Sequence, residues 1–196
     1  GSLGFTHASI EELGVLRSIP NLTIISPSDC LELVKTVEAS LKIDMSCYIR
    51  LTGTSNNPIV NKNDYEFEIG KSIELKKGDD VTIFCNGPLV HNCLEASKIL
   101  EKENISVSVV NMHTIKPIDK DKILEKININ KIIFTAEEHN IIGGLGSAVA
   151  EIKSSVVSNC KLIRLGINDK YTKGGSQKYL QDLNGLSIDK IVYTLK

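Results

Sequence analysis

The feature of this sequence that most restricts its fold is the alternation of short apolar runs with segments of helical apolar spacing. Apolar runs occur at 81–85, 105–110, 132–135 and 162–165, and helical patterns separate them. Strands that alternate with helices at this spacing form βαβ units, in which the crossover helix returns the chain to a parallel strand. The sequence therefore predicts an α/β fold with a mainly parallel sheet that helices cover on both faces.

The first 52 residues show the same alternation. Strands are expected at 22–25 and 47–51, and the helix between them carries apolar residues at helical spacing, namely Leu31, Val34, Val37 and Leu41. Ser9 and Glu12 have the S-x-x-E spacing of a capping box, which predicts the start of a short helix. Ser26 is the predicted cap of the next helix. The order helix, strand, helix, strand is typical of the end of an α/β sheet.

A segment of turn-forming residues divides the chain. Residues 53–65 include four asparagines, a glycine and a proline and lack apolar periodicity, which is typical of a linker. This predicts the end of one α/β domain at 1–52 and a complete α/β domain at 66–196. The first residue is Gly1 rather than Met, so we expect the chain to be a piece of a longer protein.

The composition excludes several classes of partner. Lys and Arg number 23 against 24 Asp and Glu, and no apolar run reaches the roughly 20 residues of a membrane helix. We therefore expect a soluble, cytoplasmic protein that binds neither nucleic acid nor membranes. The five cysteines are scattered singly and without a C-x-x-C pair, which disfavours structural zinc and a disulfide framework.

A glycine-rich turn, Gly143-Gly144-Leu145-Gly146, precedes the last of the helical patterns between strands. It does not fit the dinucleotide-binding fingerprint, because the third glycine position falls on Val149 and seven residues separate the turn from the strand. Two interpretations remain open. The turn either holds a phosphate on its backbone amides or lets the helix approach a neighbouring element closely.

The candidate chemical residues are histidines and one arginine. The four histidines are His7, His91, His113 and His139, and no two have metal-ligand spacing on a helix, so we expect no protein-built metal site. His139 follows two glutamates at a strand end, where a ligand site and a solvated loop are both possible. His7 lies in a glycine-bearing loop and is either a proton-transfer group or structural. Arg50 ends a strand and is suited to phosphate or carboxylate binding, or to a surface ion pair.

Several segments resemble the transketolase family. The later half of its pyrimidine-binding domain is similar to Gly4-Phe5-Thr6-His7, 16–21 and 26–29, and its carboxy-terminal domain is similar to 111–117 and 135–151. The resemblance is greatest to the carboxy-terminal subunit of split transketolases. It implies a truncated pyrimidine-binding lobe at 1–52 and a complete carboxy-terminal domain at 66–196. Related patterns occur in 1-deoxyxylulose-5-phosphate synthase and in the beta subunits of 2-oxo acid dehydrogenases.

The resemblance also implies an activity. Members of the family transfer a two-carbon ketol unit between sugar phosphates with thiamine diphosphate and Mg²⁺. By its motif, His7 matches an active-site histidine near the cofactor and substrate, and Arg50 matches the arginine that binds the sugar phosphate. Leu3 and Phe5 replace an acid and a proline found in many members, which puts the substrate's identity in doubt.

Much of the family's active site lies outside this sequence. The catalytic glutamate, the aromatic residue on the aminopyrimidine and the diphosphate-and-metal site belong to segments that precede this stretch or to another domain. The resemblance therefore implies an inactive isolated chain, an amino-terminal partner subunit or domain, and a homo- or hetero-oligomer. The alternative is a non-catalytic interaction module, and a nucleotide-binding oxidoreductase is disfavoured by the glycine spacing.

Overall fold

The computed structural model describes residues 9–52, 57–61, 64–171 and 173–196. Its helices are α1 (Glu12–Arg17), α2 (Cys30–Ser40), α3 (Leu89–Glu101), α4 (Lys120–Ile129), α5 (Leu145–Ser154), α6 (Gln177–Leu183) and α7 (Ile188–Leu195). Its strands are β1 (Leu22–Ile25), β2 (Ser46–Ile49), β3 (Ile73–Lys76), β4 (Val81–Cys85), β5 (Val107–Asn111), β6 (Thr114–Lys116), β7 (Ile132–Asn140) and β8 (Lys161–Ile167). The predicted α/β fold is confirmed.

The larger sheet has five strands in the order β3-β5-β4-β7-β8. Four of them are parallel, and β3 is antiparallel to β5 at one edge. The central strand β4 is buried along its whole length, as a sheet covered on both faces requires. Helices α3 and α7 contribute to the apolar cluster on one face, and α1, α4 and α5 contribute to the cluster on the other.

The smaller sheet joins the two parts of the chain. Its order is β2-β1-β6, with β1 parallel to β2 and antiparallel to β6. Strand β6 follows β5 after a two-residue turn that contains His113, and it is too short, at three residues, to give an apolar run of its own. Since β6 lies within the predicted domain 66–196, this pairing fixes the first part of the chain against the larger sheet.

The predicted helix starts at Ser9 and Ser26 are wrong. Helix α1 begins at Glu12 without a side-chain cap, because the Glu12 carboxylate binds Arg50 instead of reaching back to a backbone amide. Helix α2 begins at Cys30, and the Asp29 carboxylate accepts a hydrogen bond of 2.8 Å from the Glu32 amide. Helix α2 is thus capped by Asp29, three residues after Ser26, whereas no side chain caps α1.

The remaining differences between the predicted and the observed elements lie in the second half of the chain. Strand β7 continues to Asn140, so Glu137, Glu138 and His139 belong to the strand rather than to a loop. Helices α6 and α7 are not expected from the apolar pattern. No helix among the described residues is long and apolar enough to cross a membrane.

Candidate functional site

Arg50 lies directly after β2, at the contact between the two sheets. Its side chain is 3% exposed, and its Nε atom is hydrogen-bonded and ion-paired to the Glu12 carboxylate. The Nη2 atom donates to the carbonyl of Ser9 at 3.0 Å and to the carbonyl of Glu138 at 2.9 Å. Arg50 is therefore a buried cation that links α1, the segment before it and the carboxyl end of β7.

The Glu137 carboxylate packs against the glycine-rich turn and binds its amides, which accounts for Gly144. Its carboxylate is fully buried and accepts hydrogen bonds from the amides of Leu145 (2.7 Å) and Gly146 (2.8 Å), the first residues of α5. A Cβ atom on Gly144 would lie 1.9 Å from Glu137 Oε2, so only glycine fits there. The close-approach interpretation is confirmed, because a carboxylate of the same chain occupies the amides that a phosphate would need.

Burial changes the proton affinity of this carboxylate. Desolvation raises the pKa of Glu137 to about 7, although the two amide hydrogen bonds and the charges of Arg50 and Arg17 act in the opposite direction. Glu138 also has a raised pKa for the same reason. Its carboxylate accepts hydrogen bonds from the side-chain amides of Gln177 (3.1 Å) and Gln181, so it fastens α6 to the sheet.

His139 is completely buried between these groups. Its Nδ1 atom lies 2.7 Å from the Asn140 carbonyl and 3.7 Å from Glu137 Oε2. Its Nε2 atom lies 4.0 Å from Glu12 Oε2, and neither of these two atoms has a hydrogen-bond partner among the described residues. Desolvation, followed by the positive charge of Arg50, lowers the pKa of His139, which favours the neutral imidazole.

The structure therefore brings together Arg50 and His139, two of the candidates from the sequence, and adds Glu12 and Glu138 to them. His7 lies outside the described residues. His113 is buried elsewhere, between β5 and β6, where its ring stacks on Phe67 with a centroid distance of 4.2 Å. The sequence pattern assigns Glu12 to a capping box, and its pairing with Arg50 cannot be read from the sequence because 38 residues separate them.

The described residues do not suit a metal–diphosphate group. They contain no cluster of three or more His, Cys, Asp or Glu side chains that could hold a metal ion. The amides at the start of α5 bind Glu137 rather than facing an open site. What the arrangement can do is hold one guanidinium in a fixed orientation beside acidic groups and a neutral histidine. That suits the binding of an anionic substrate group, provided that the anion shares the guanidinium with Glu12.

Comparison with known proteins shows which family the chain resembles. The family model described as "Transketolase, C-terminal domain" matches residues 70–191. The chain is similar to a putative transketolase C-terminal section of Methanocaldococcus jannaschii, with 36% identity over 97% of this chain and 60% of that protein. It is also similar to one of the subunits of the apulose-4-phosphate transketolase of Actinobacillus succinogenes, with 34% identity over 98% of this chain and 62% of that protein.

A solved structure gives the same result. The structure described as "Split gene transketolase, inactive beta4 tetramer" superimposes with a TM-score of 0.91 and 37% identity, over 98% of this chain and 62% of that chain. The chain thus spans about three fifths of the length of the relatives it matches.

Proposed function

Because this chain belongs to the transketolase family through its C-terminal domain, we propose that it is the carboxy-terminal portion of a transketolase that transfers a two-carbon ketol unit between sugar phosphates. The observation that carries the proposal is the match of nearly the whole chain to the split-gene transketolase chain. The name of the Actinobacillus relative includes apulose 4-phosphate, which supports a phosphorylated sugar as the substrate class.

Thiamine diphosphate and Mg²⁺ are the proposed cofactors of the assembly. Bound thiamine diphosphate would supply the carbanion chemistry of ketol transfer. Since the described residues do not fit the metal–diphosphate group, we assign its binding to other parts of the assembly. The isolated chain is therefore proposed to be inactive, in agreement with the resemblance.

His7 and Arg50 are the proposed site residues of this chain. The role of His7 near the cofactor and substrate rests on its motif alone. The proposed role of Arg50 as a ligand of the sugar phosphate is supported by its buried, oriented guanidinium. A dianionic phosphate would share that guanidinium with Glu12, which holds Nε, and charge-assisted bonds to phosphate are among the strongest that arginine forms.

Helix α2 supports the proposal of a partner subunit or domain. It buries two polar side chains, Glu32 and Thr36, and exposes an apolar stripe on the opposite side. In this stripe Leu31 is 46% exposed, Val34 is 56% exposed and Leu41, directly after the helix, is 82% exposed. A helix on the surface of a monomeric protein normally shows the reverse pattern. We infer that another chain or domain of the assembly covers the stripe.

The test is to mix this chain with an amino-terminal transketolase subunit that carries the diphosphate site. Titration calorimetry with thiamine diphosphate and Mg²⁺ should give binding only in the mixture, and ketol transfer between sugar phosphates should appear with it. Formation of 1-deoxyxylulose 5-phosphate by the mixture would favour the synthase alternative. A mixture that forms no complex and binds no cofactor would contradict the proposal and favour a non-catalytic interaction module.

The role of Arg50 has its own test in the same mixture. Arg50→Met should raise the KM for phosphorylated substrates about tenfold or more, because a charge-assisted bond to phosphate contributes roughly 1.5–3 kcal/mol. The single variant also leaves Glu12 buried without its partner, which destabilises the fold. The double variant Glu12→Gln/Arg50→Met removes both charges and should keep the raised KM with a smaller loss of stability. An unchanged KM would refute the assignment.

A further inference from the structure

Helix α1 rests directly on the glycine-rich turn. Gly143 has a φ of +85°, and a Cβ atom on it would lie 2.5 Å from the Cα atom of Gly14 in α1. A Cβ atom on Gly14 would in turn lie 3.3 Å from the Cα atom of Gly143. The two backbones touch at a pair of glycines, so α1 cannot shift toward the turn.

Arg17 fastens the same contact from the other end of α1. Its Nη1 atom donates to the carbonyl of Gly143 at 2.7 Å, and its Nη2 atom lies 2.5 Å from Glu151 Oε2 on α5. The Arg17 side chain is 15% exposed and that of Glu151 is 64% exposed, so water screens the ion pair more than it screens the partly buried bond to the Gly143 carbonyl. We call Gly14, Arg17, Gly143 and Glu151 the α1 joint.

The α1 joint determines where Glu12 lies. Glu12 is the first residue of the helix that Arg17 ends, and α1 has only six residues, so the two ends move together. The segment before α1 is also held, because the Ile10 carbonyl accepts a hydrogen bond of 2.7 Å from the Asn140 amide. Glu12 in turn binds the Arg50 guanidinium. The orientation of Arg50 thus depends on contacts between α1 and α5.

We propose that the α1 joint positions Arg50 for the sugar phosphate, and that Arg17 is a positioning residue of the reaction. Arg17 acts through Glu12 rather than by touching substrate. The glycine-rich turn then helps to orient the Arg50 guanidinium through α1 and Glu12, instead of binding a phosphate itself. This inference rests on the proposed role of Arg50, and its test separates the two.

The test compares Arg17→Met with Arg17→Lys and with a matched control, Lys35→Met. Like Arg17, Lys35 forms one ion pair and one hydrogen bond to a backbone carbonyl, with Asp64 at 2.8 Å and with Tyr65 at 2.9 Å. Lys35 belongs to α2, however, and these two contacts do not involve α1. KM is measured in the assembled enzyme for a phosphorylated acceptor and for its non-phosphorylated counterpart.

Arg17→Met should raise the KM for the phosphorylated acceptor by at most about tenfold, because it displaces the Arg50 guanidinium without removing it, and should change the other KM less than about twofold. Arg17→Lys, which keeps a charge but loses the forked geometry, should give an intermediate value. Lys35→Met should match the unmodified chain. A merely structural role would reduce the active fraction equally for both acceptors and would leave the ratio of the two KM values unchanged.

Amide hydrogen exchange on the 196-residue chain gives a readout that needs no activity. Amides of residues 10–14 should exchange about tenfold faster in Arg17→Met and at the unmodified rate in Lys35→Met. Unchanged exchange, or an unchanged KM ratio while Arg50→Met raises the phosphorylated KM, would overturn the inference alone. If Arg50→Met itself leaves KM unchanged, the proposed role of Arg50 fails and the positioning role fails with it.

Discussion

His113 should make the stability of this protein fall in acid. The residue is 1% exposed and stacks on Phe67, and burial lowers the pKa of its imidazole from 6.5 to about 4. The folded state therefore binds the proton less tightly than the unfolded chain. The stabilising contribution of the neutral imidazole is fully present above pH 6.5 and is lost as the pH falls toward 4.

The size of the loss follows from the two pKa values. The difference between 6.5 and about 4 corresponds to about 3 kcal/mol in total, most of which is lost at pH 4.5. Glu137 acts in the opposite sense, because its pKa is raised to about 7 and its contribution is largest below pH 4.5 and lost as the pH rises through 7. In the unmodified chain, the changes of stability with pH that His113 and Glu137 cause have opposite signs, so a variant is needed to separate them.

The variant is His113→Phe, which keeps an aromatic ring on Phe67 and removes the titrating group. Urea unfolding at pH 7.5 and at pH 4.5 gives the free energy of unfolding of each chain. Relative to the unmodified protein, His113→Phe should gain about 2 to 3 kcal/mol of stability on going from pH 7.5 to 4.5. Phe67→Leu, which keeps the imidazole, is the control and should retain the acid-side loss. If His113→Phe has the same pH dependence as the unmodified chain, burial does not control this histidine and the reasoning is refuted.

Two further predictions concern the glycine-rich turn and the exposed face of α2. Gly144→Ala should lower the free energy of unfolding by about 2–4 kcal/mol in a thermal or urea unfolding experiment. The reason is that its Cβ atom would displace the Glu137 carboxylate from the amides that start α5. A change below about 0.5 kcal/mol would show that the turn can hold a Cβ atom beside this carboxylate. Leu41→Glu should weaken binding to the amino-terminal subunit at least tenfold in calorimetry. It should change the stability of the isolated chain by less than about 0.5 kcal/mol, since Leu41 is 82% exposed. Unaltered binding would place the interface elsewhere.

The strands and helices that the sequence predicts well are those with a strong local pattern. Val81–Cys85 is a strand with the predicted bounds, because a run of five apolar or β-branched residues that ends at a turn signal is typical of a fully buried strand. The α/β order and the mainly parallel sheet follow from such runs and from the helices between them. Strand β6 and helices α6 and α7 are not predicted, because β6 is three residues long and the two helices follow no further strand pattern.

The candidate site is only partly predictable. Arg50 and His139 are each candidates because each lies near the carboxyl end of an apolar strand, where α/β sheets place ligands. Their strands belong to different sheets, so their meeting does not follow from the strand pattern. The sequence assigns Glu12 to a local cap, since a capping box is a four-residue pattern and nothing nearby indicates a competing partner. The Gly143–Gly146 turn leaves two interpretations open, because both a phosphate and a buried carboxylate can bind the same free amides.

Local apolar period and turn chemistry act over a few residues, and for that reason the alternation of apolar strands with helices can be predicted from the amino-acid sequence. Which charges meet depends instead on contacts between distant parts of the folded chain. Arg50 pairs with Glu12 across 38 residues, and Glu137 caps a helix eight residues further on by crossing the turn between them. Burial then raised the pKa of Glu137 and lowered that of His139, because desolvation depends on every element packed around a group and not on its neighbours in sequence.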